Sequence, residues 1–281
     1  MGKFARSWAL AKASMDVLRA DKELVVFPLV SSVVTIVVAA SFLLPIFGLG
    51  LMRHLGGGGG SAVALYVLLF AFYLVQYFVI FFFNTALVGA AMIRLDGGDP
   101  TVGAGLRIAT GKWRPILGYA AIAATVGLLL RALEERAGFL ARIVIGLFGA
   151  AWTVATFLTV PVLVARDVGP VDAVKESASL LGRTWGENLI GQGGIGLVFG
   201  LVYTLLGIVG VGLVVLLGVQ QLAAPAIAMA CVLLVAFLLL ALVQAALSGV
   251  YSAALYRFAV AGDAPAGFDG ALLRNAFQRK A

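Results

Sequence analysis

Charged residues in this chain are confined to short stretches, and long runs between them contain none. A helix of about 20 apolar residues crosses the hydrocarbon core of a bilayer. Each uncharged run can therefore hold a membrane-spanning helix, the third with Arg131 reaching the interface from its end. The runs without Asp, Glu, Lys or Arg are 24–52, 54–93, 115–130, 143–165 and 188–256.

The pattern predicts an all-α protein, a polytopic integral membrane helical bundle with six transmembrane helices in a single domain over 1–281. The last uncharged run is long enough for two helices, which we expect to be joined near Gln220, Gln221 and Pro225. An interfacial helix is expected over 1–23, and a tail with a short helix over 258–281. The predicted spans are 25–51, 63–92, 115–133, 143–164, 189–217 and 225–256.

The distribution of basic residues predicts the orientation. Of the 20 Lys and Arg residues, sixteen fall at the two termini and in the second and fourth connections, and four fall in the others. Connections rich in Lys and Arg stay in the cytoplasm. We therefore expect a multi-pass protein of the prokaryotic cytoplasmic (inner) membrane with both termini inside.

Two connections on the basic side share an order of residues. One runs from Arg94 through a Gly/Pro turn and a helix-like stretch to Gly111-Lys-Trp113, and the other from Arg166 to Gly182-Arg-Thr-Trp185. A weaker copy follows the sixth span. We interpret this as a threefold repeat of helical hairpins, each preceded by an amphipathic helix on the inner leaflet. The alternative is that basic loops of membrane proteins commonly contain turns.

The predicted surface helices place basic residues beside an apolar stripe, which favours anionic lipid. We expect membrane lipids, chiefly anionic ones, as partners, with a homo-oligomer possible and no nucleic acid. The predicted lipid-interface residues are Lys3, Arg6, Trp8, Lys12, Arg19, Lys112, Trp113, Arg183 and Trp185.

One stretch carries a family resemblance. The run Val164–Ser177, followed by Trp185, is similar to a signature in uncharacterised prokaryotic six-span proteins. These include the YciC-like group and the membrane domain that precedes some glycerophosphodiester phosphodiesterases. Phe4–Trp8 and Arg19–Pro28 also resemble the start of such families. The resemblance implies a six-span fold and no established activity, and we expect no phosphodiesterase domain.

Composition narrows the chemistry further. The chain is 62% hydrophobic and 12% charged, with a net charge of +7. This excludes soluble enzymes, secreted proteins and nucleic-acid-binding proteins. The single Cys231 and single His54 exclude an intramolecular disulfide and the usual zinc sites. Because the cores of the spans contain no carboxylate, Lys, Arg or His, we expect no enzymatic activity, no metal and no cofactor.

Uncharged polar residues recur within three of the spans. They could line a pore, or they could form the interhelical hydrogen bonds that are common in bundles. In the fifth span, Gly196 and Gly200 have the spacing of close helix packing, within the chain or between subunits. A gating hinge is the alternative there. The polar residues are Gln76, Asn84, Thr153, Thr156, Thr159, Gln244, Ser248 and Ser252.

Two functions fit these observations. We expect a passive channel or facilitator for small solutes or ions, and the alternative is a non-catalytic membrane scaffold that binds lipid or a protein partner. The lack of charge at membrane depth argues against proton-coupled transport. The two functions are distinguished by whether the polar faces of the fourth and sixth spans meet around a continuous path.

Overall fold

The protein is helical through the ranges that the computed structural model describes, 3–48, 59–184 and 190–262, and these ranges contain no strand. The predicted all-α class is confirmed. A 3₁₀ turn over Lys22–Val25 leads from the first helix to the second. The helices are α1 (Lys3–Ala20), α2 (Val26–Gly48), α3 (Gly59–Leu95), α4 (Val102–Gly111), α5 (Trp113–Arg136), α6 (Phe139–Ala155), α7 (Thr159–Ala165), α8 (Pro170–Thr184), α9 (Ile190–Val219) and α10 (Ala223–Ala261).

Six segments are long and apolar enough to cross a membrane, which confirms the predicted number of spans. The turn predicted at Gln220 and Gln221 joins α9 to α10, with Gln221 in the left-handed region at a φ of 60°. The short helix predicted in the tail lies outside the described residues. The six segments are Lys22–Pro45, Tyr66–Leu95, Trp113–Glu135, Phe139–Ala165, Val198–Val219 and Ala223–Ala261.

The order of one short helix followed by a long hairpin occurs three times, beginning at α1, α4 and α8. This is the order that the repeat predicts. The main packing partners of each short helix lie in the preceding hairpin: α4 packs on α3, and α8 packs on α6 and α7. The first short helix, α1, packs on α9 and α10 of the last hairpin. The docking of the short helices is therefore cyclic.

The helices that complete the three hairpins, α3, α7 and α10, meet at the centre of the bundle. Most of their buried residues lie toward the end of each span, chiefly over 85–92, 159–163 and 249–256. By contrast, residues 223–245 of α10 include no buried residue. The packed core therefore lies at one end of the bundle, and the opposite end presents apolar side chains outward, as a lipid environment requires.

Arginines near the ends of these three helices pair with carboxylates of other elements, and we call this end of the bundle the basic end. A hydrogen bond with the Tyr256 hydroxyl and the nearby Glu176 carboxylate raise the pKa of Arg166, so its guanidinium stays charged. Partly exposed ion pairs add about 0–1 kcal/mol each, so they orient the elements more than they stabilise them. The pairs are Arg94 with Asp21, Arg166 with Glu176 (3.0 Å) and Arg257 with Asp96.

Small residues allow the short helices to lie close to the core. In α4, a Cβ added at Gly105 would lie 2.6 Å from Cζ of Phe27 and 2.7 Å from the carbonyl oxygen of Ala86. Ser14 in α1 and Ser177 in α8 are both fully buried. Each short helix thus has a buried residue with little or no side chain on its contact surface.

We expect Gly105→Ala to destabilise the protein by about 1–3 kcal/mol, because the added methyl group would overlap a backbone carbonyl. Gly103→Ala is the matched control, because position 103 is exposed on the same helix and a Cβ there meets only Thr101 Oγ1, at 4.0 Å. The measurement is the midpoint temperature of unfolding in detergent micelles. Equal midpoints for the two variants would contradict the close packing of α4.

Candidate central cavity and membrane groove

Three of the predicted polar residues line one cavity of about 280 Å³. Asn84 comes from α3, and Ser248 and Ser252 come from α10. Ser31 of α2 adds a fourth polar group, which the sequence analysis missed although its position in a predicted span was evident. The rest of the lining is apolar and consists of Pro28, Ile80, Phe83, Leu87, Phe157, Ala245 and Gly249.

The cavity lies far from the basic end along the spans, and its lining residues Ile80 and Ala245 are exposed at the side of the bundle. Asn84 precedes Arg94 by ten residues, and Ser248 precedes Arg257 by nine. At 1.5 Å per helical residue, both lie roughly 15 Å from the basic end. A hydrocarbon core is about 30 Å thick, so this depth corresponds to the middle of a membrane. The lining residues carry no ionisable side chain, and this makes the cavity suited to an uncharged occupant.

Close helix packing forms one wall of the cavity. A Cβ added at Gly249 would lie 2.4 Å from Cδ2 of Leu87 and 3.7 Å from Oδ1 of Asn84. Ser252 Oγ donates to the carbonyl of Gly249 at 2.8 Å. The hydroxyls of Ser31 and Ser248 and the amide of Asn84 form no hydrogen bond with another described residue. These last three groups remain available to an occupant.

Side chains fill the space between the cavity and the basic end. Leu87, Val250, Tyr251 and Leu255 are each 2% exposed or less. They come from the same two helices that form the cavity, one or two turns closer to Arg94 and Arg257. Through the described residues, the cavity therefore has no open route to the basic end.

The predicted row of threonines in the fourth span faces a different neighbour. Thr159 is fully buried, and it lies with Thr156 beside the hydroxyl of Tyr119 in α5. The rings of Phe157 and Tyr251 lie between this row and the cavity. Their centroids are 6.3 Å apart. The polar faces of the fourth and sixth spans therefore do not meet around a continuous path in the described chain.

Three other predicted polar residues form hydrogen bonds in the described chain, and one of these bonds, from Gln76 to Thr35, joins two helices as in the packing alternative. Gln244, on α10, is half-buried and does not line the cavity. The bonds are Thr153 Oγ1 to Gly149 O (2.9 Å), Thr156 Oγ1 to Trp152 O (2.8 Å) and Gln76 Nε2 to Thr35 O (3.2 Å).

The glycines predicted to pack closely make no close contact with the described residues. A Cβ added at Gly196 or Gly200 would meet no described atom within 4 Å. Among the described residues, the α9–α10 contact does not fall at these two positions. It falls at Gly210, where a Cβ would lie 2.4 Å from Leu233 Cδ1. Packing of Gly196 and Gly200 against a second copy stays a prediction.

The fourth span is broken over residues 156–158 and is not the single helix that we predicted. Pro161, in the first turn of α7, has no N–H to continue the helical bonding of the preceding turn. Ser177 of α8 satisfies the groups left open at the break. Its hydroxyl donates to Ala155 O at 2.6 Å and accepts from Leu158 N at 3.0 Å. Irregular backbone at membrane depth needs such partners.

The predicted lipid-interface residues separate into four groups. Trp113 is 46% exposed. Lys112 Nζ donates to Arg166 O at 2.8 Å and pairs with Asp167 at 3.2 Å, and its contact with lipid stays a prediction. The structure describes only the helix positions of Lys3, Arg6, Trp8 and Arg183, and Trp185 lies outside the described ranges.

The remaining two, Lys12 and Arg19, are exposed at the edge of a groove of about 720 Å³ between α1, α9 and α10. Met15 of α1 lies between them along the helix. Asp16 is 3.9 Å from Arg19, but both side chains are more than half exposed, so the pair is weak. The other lining residues are apolar: Val198, Phe199, Val202, Ala236, Leu239, Leu240, Val243 and Leu247.

We expect Ser177→Ala to destabilise the protein by about 1–3 kcal/mol, because a buried carbonyl and a buried N–H at the break lose their partner. Ser179→Ala is the matched control, since Ser179 is exposed on the same helix. Thermal unfolding in micelles measures the difference. Equal unfolding midpoints for the two variants would show that the break does not depend on Ser177.

Comparisons with known proteins identify a family for this chain but indicate no activity. No curated protein and no solved structure matches the chain. The resemblance to the YciC-like group and to the membrane domain of some phosphodiesterases is thus not shown. One family model matches residues 63–268, which include most of α3 and all of α4 to α10. The chain belongs to a family of unknown function, DUF6159.

Proposed function

We propose that this protein is a non-catalytic membrane protein that holds an anionic phospholipid in the groove between α1, α9 and α10. One observation carries the proposal: the groove has apolar walls and two cations, Lys12 and Arg19, at its edge. An acyl chain suits the walls, and a phosphate suits the cations. The basic end then faces the cytoplasm at a prokaryotic inner membrane, with both termini inside, as the distribution of Lys and Arg favours.

Charge provides the selectivity of this proposed site. Lipid chains are as apolar as the groove walls, so burial alone barely distinguishes the groove from the surrounding bilayer. A Lys or Arg near the membrane surface contributes about 1 kcal/mol toward an anionic headgroup. Two such residues correspond to a preference of roughly 30-fold over a zwitterionic lipid. Asp16, next to Arg19, reduces this value.

The shape of the central cavity supports lipid binding over free conduction. The criterion for a channel is a continuous path shared by the polar faces of the fourth and sixth spans. In the described chain the threonines face Tyr119, and buried side chains lie between the cavity and the basic end. The membrane scaffold is therefore the function that the geometry favours.

We expect the double variant Lys12→Gln, Arg19→Gln to retain less phosphatidylglycerol and cardiolipin than the parent. The loss relative to phosphatidylcholine should approach 30-fold, which is about 2 kcal/mol. Native mass spectrometry of protein purified in mild detergent measures the retained lipid.

The matched control is Arg107→Gln, Lys175→Gln, which removes the same charge from exposed positions on α4 and α8. Ala236→Trp tests the apolar part of the groove without a change in charge, and Ala241→Trp is its match on the exposed side of α10. Equal lipid retention by both double variants, or by both Trp variants, would remove the groove as the binding site.

Passive facilitation of a small solute is the second candidate. The observation in its favour is the mid-depth cavity, which brings together Asn84, Ser248 and Ser252 from two spans. Facilitation requires the buried layer at Tyr251 and Leu255 to open toward the basic end.

If the cavity is part of a solute route, Ser248→Leu should reduce flux through the protein in liposomes, because the larger side chain fills the cavity. Gln244→Leu should leave flux unchanged, because Gln244 does not line it. Stopped-flow light scattering with glycerol and urea, together with ion-selective electrodes, measures the flux. The facilitator fails if the parent conducts none of these solutes or if both variants match it.

A further inference from the structure

Three polar groups on the wall of the central cavity lack a partner in the described chain. Many other hydroxyls in the spans bond to a carbonyl four residues earlier in their own helix, as in Ser32, Thr125 and Thr204. At the cavity, Ser31, Asn84 and Ser248 have no such partner among the described residues. Polar groups at membrane depth are costly unless they are paired. Their convergence on one space points to an occupant.

The lining defines the chemistry of that occupant. Hydroxyl groups both donate and accept hydrogen bonds, and the amide of Asn84 offers two donors and an acceptor. The opposite walls are apolar, formed in part by the rings of Phe83 and Phe157. A volume of about 280 Å³ is that of roughly nine waters, which is close to the smallest small-molecule sites.

We propose that the cavity binds a small uncharged molecule that carries an amide or hydroxyl group. Its polar group bonds to Ser31, Asn84 and Ser248, and its apolar part lies against Phe83 and Phe157. An ion is disfavoured, because the lining offers no opposite charge to replace its hydration. A lipid chain is disfavoured too, because it leaves the three polar groups unpaired. This site is separate from the lipid groove and binds without a conducting path.

Cysteine labelling tests whether the cavity holds a polar occupant. The chain has one cysteine, so Cys231→Ala gives a cysteine-free background. Ser31→Cys and Ser248→Cys place thiols at the cavity from two helices. Ser32→Cys is the matched control, since Ser32 is the exposed neighbour of Ser31 on α2. The protein is reconstituted in phosphatidylcholine vesicles, which lack the anionic lipid proposed for the groove.

We expect N-ethylmaleimide to label the two cavity positions at least about tenfold faster than Ser32→Cys, because the thiolate that reacts forms far less readily in an apolar environment. Propionamide, the probe ligand, should slow labelling at both cavity positions about twofold at its half-saturating concentration. Propionate, its charged analogue, should have no effect. Asn84→Leu in the Ser248→Cys background should abolish the protection by propionamide.

Two results would overturn the proposal. One is labelling at Ser31→Cys and Ser248→Cys as slow as at Ser32→Cys, which would mean a dry cavity. The other is fast labelling that neither propionamide nor 1-propanol slows, which would mean water only. Elution of each variant as a single species establishes that it is folded. Neither result depends on lipid retention or flux, so failure here is distinct from failure of the lipid groove.

Discussion

The close approach of α3 and α10 is the contact on which the centre of this protein depends. Helices in a bilayer gain little from apolar burial against each other, so they associate where small residues let backbones come near. Gly249 provides this, because Leu87 occupies the space that its side chain would fill. The same contact brings Asn84 and Ser248 to one cavity and buries Val250 directly below it. The contact between α3 and α10 therefore both packs the core and forms the central cavity.

The break in the fourth span shows how a surface helix takes part in the membrane core. Pro161 interrupts the backbone bonding, and Ser177, from a helix outside the spans, supplies the missing donor and acceptor. Ser177 is the last residue of the run Val164–Ser177. The run therefore includes both the C-terminal end of α7, the helix that follows the break, and the side chain that bonds to the backbone at the break.

The six spans could be predicted from sequence because a helix that crosses the bilayer needs an uncharged run of matching length, and such runs are visible along the chain. The packing partner of each helix face could not be predicted, because the periodicity of a helix does not indicate which other helix lies against it. Thr156 and Ser248 were equally polar in sequence, yet one lies beside Tyr119 and the other lines the cavity. Similarly, Gly196 has the spacing of a packing motif, and only the register of α9 against α10 shows that Gly210 makes the contact.

The cyclic docking of the short helices has a consequence for biosynthesis. Helix α1 packs against α9 and α10, which are synthesised long after it. Contacts of such large sequence separation close late and slowly. Until α9 and α10 enter the membrane, Met15 of α1 lacks the neighbours that line the groove with it. Helix α1 can therefore complete its packing only after α9 and α10 have been made, and this contact completes the cyclic docking of the short helices.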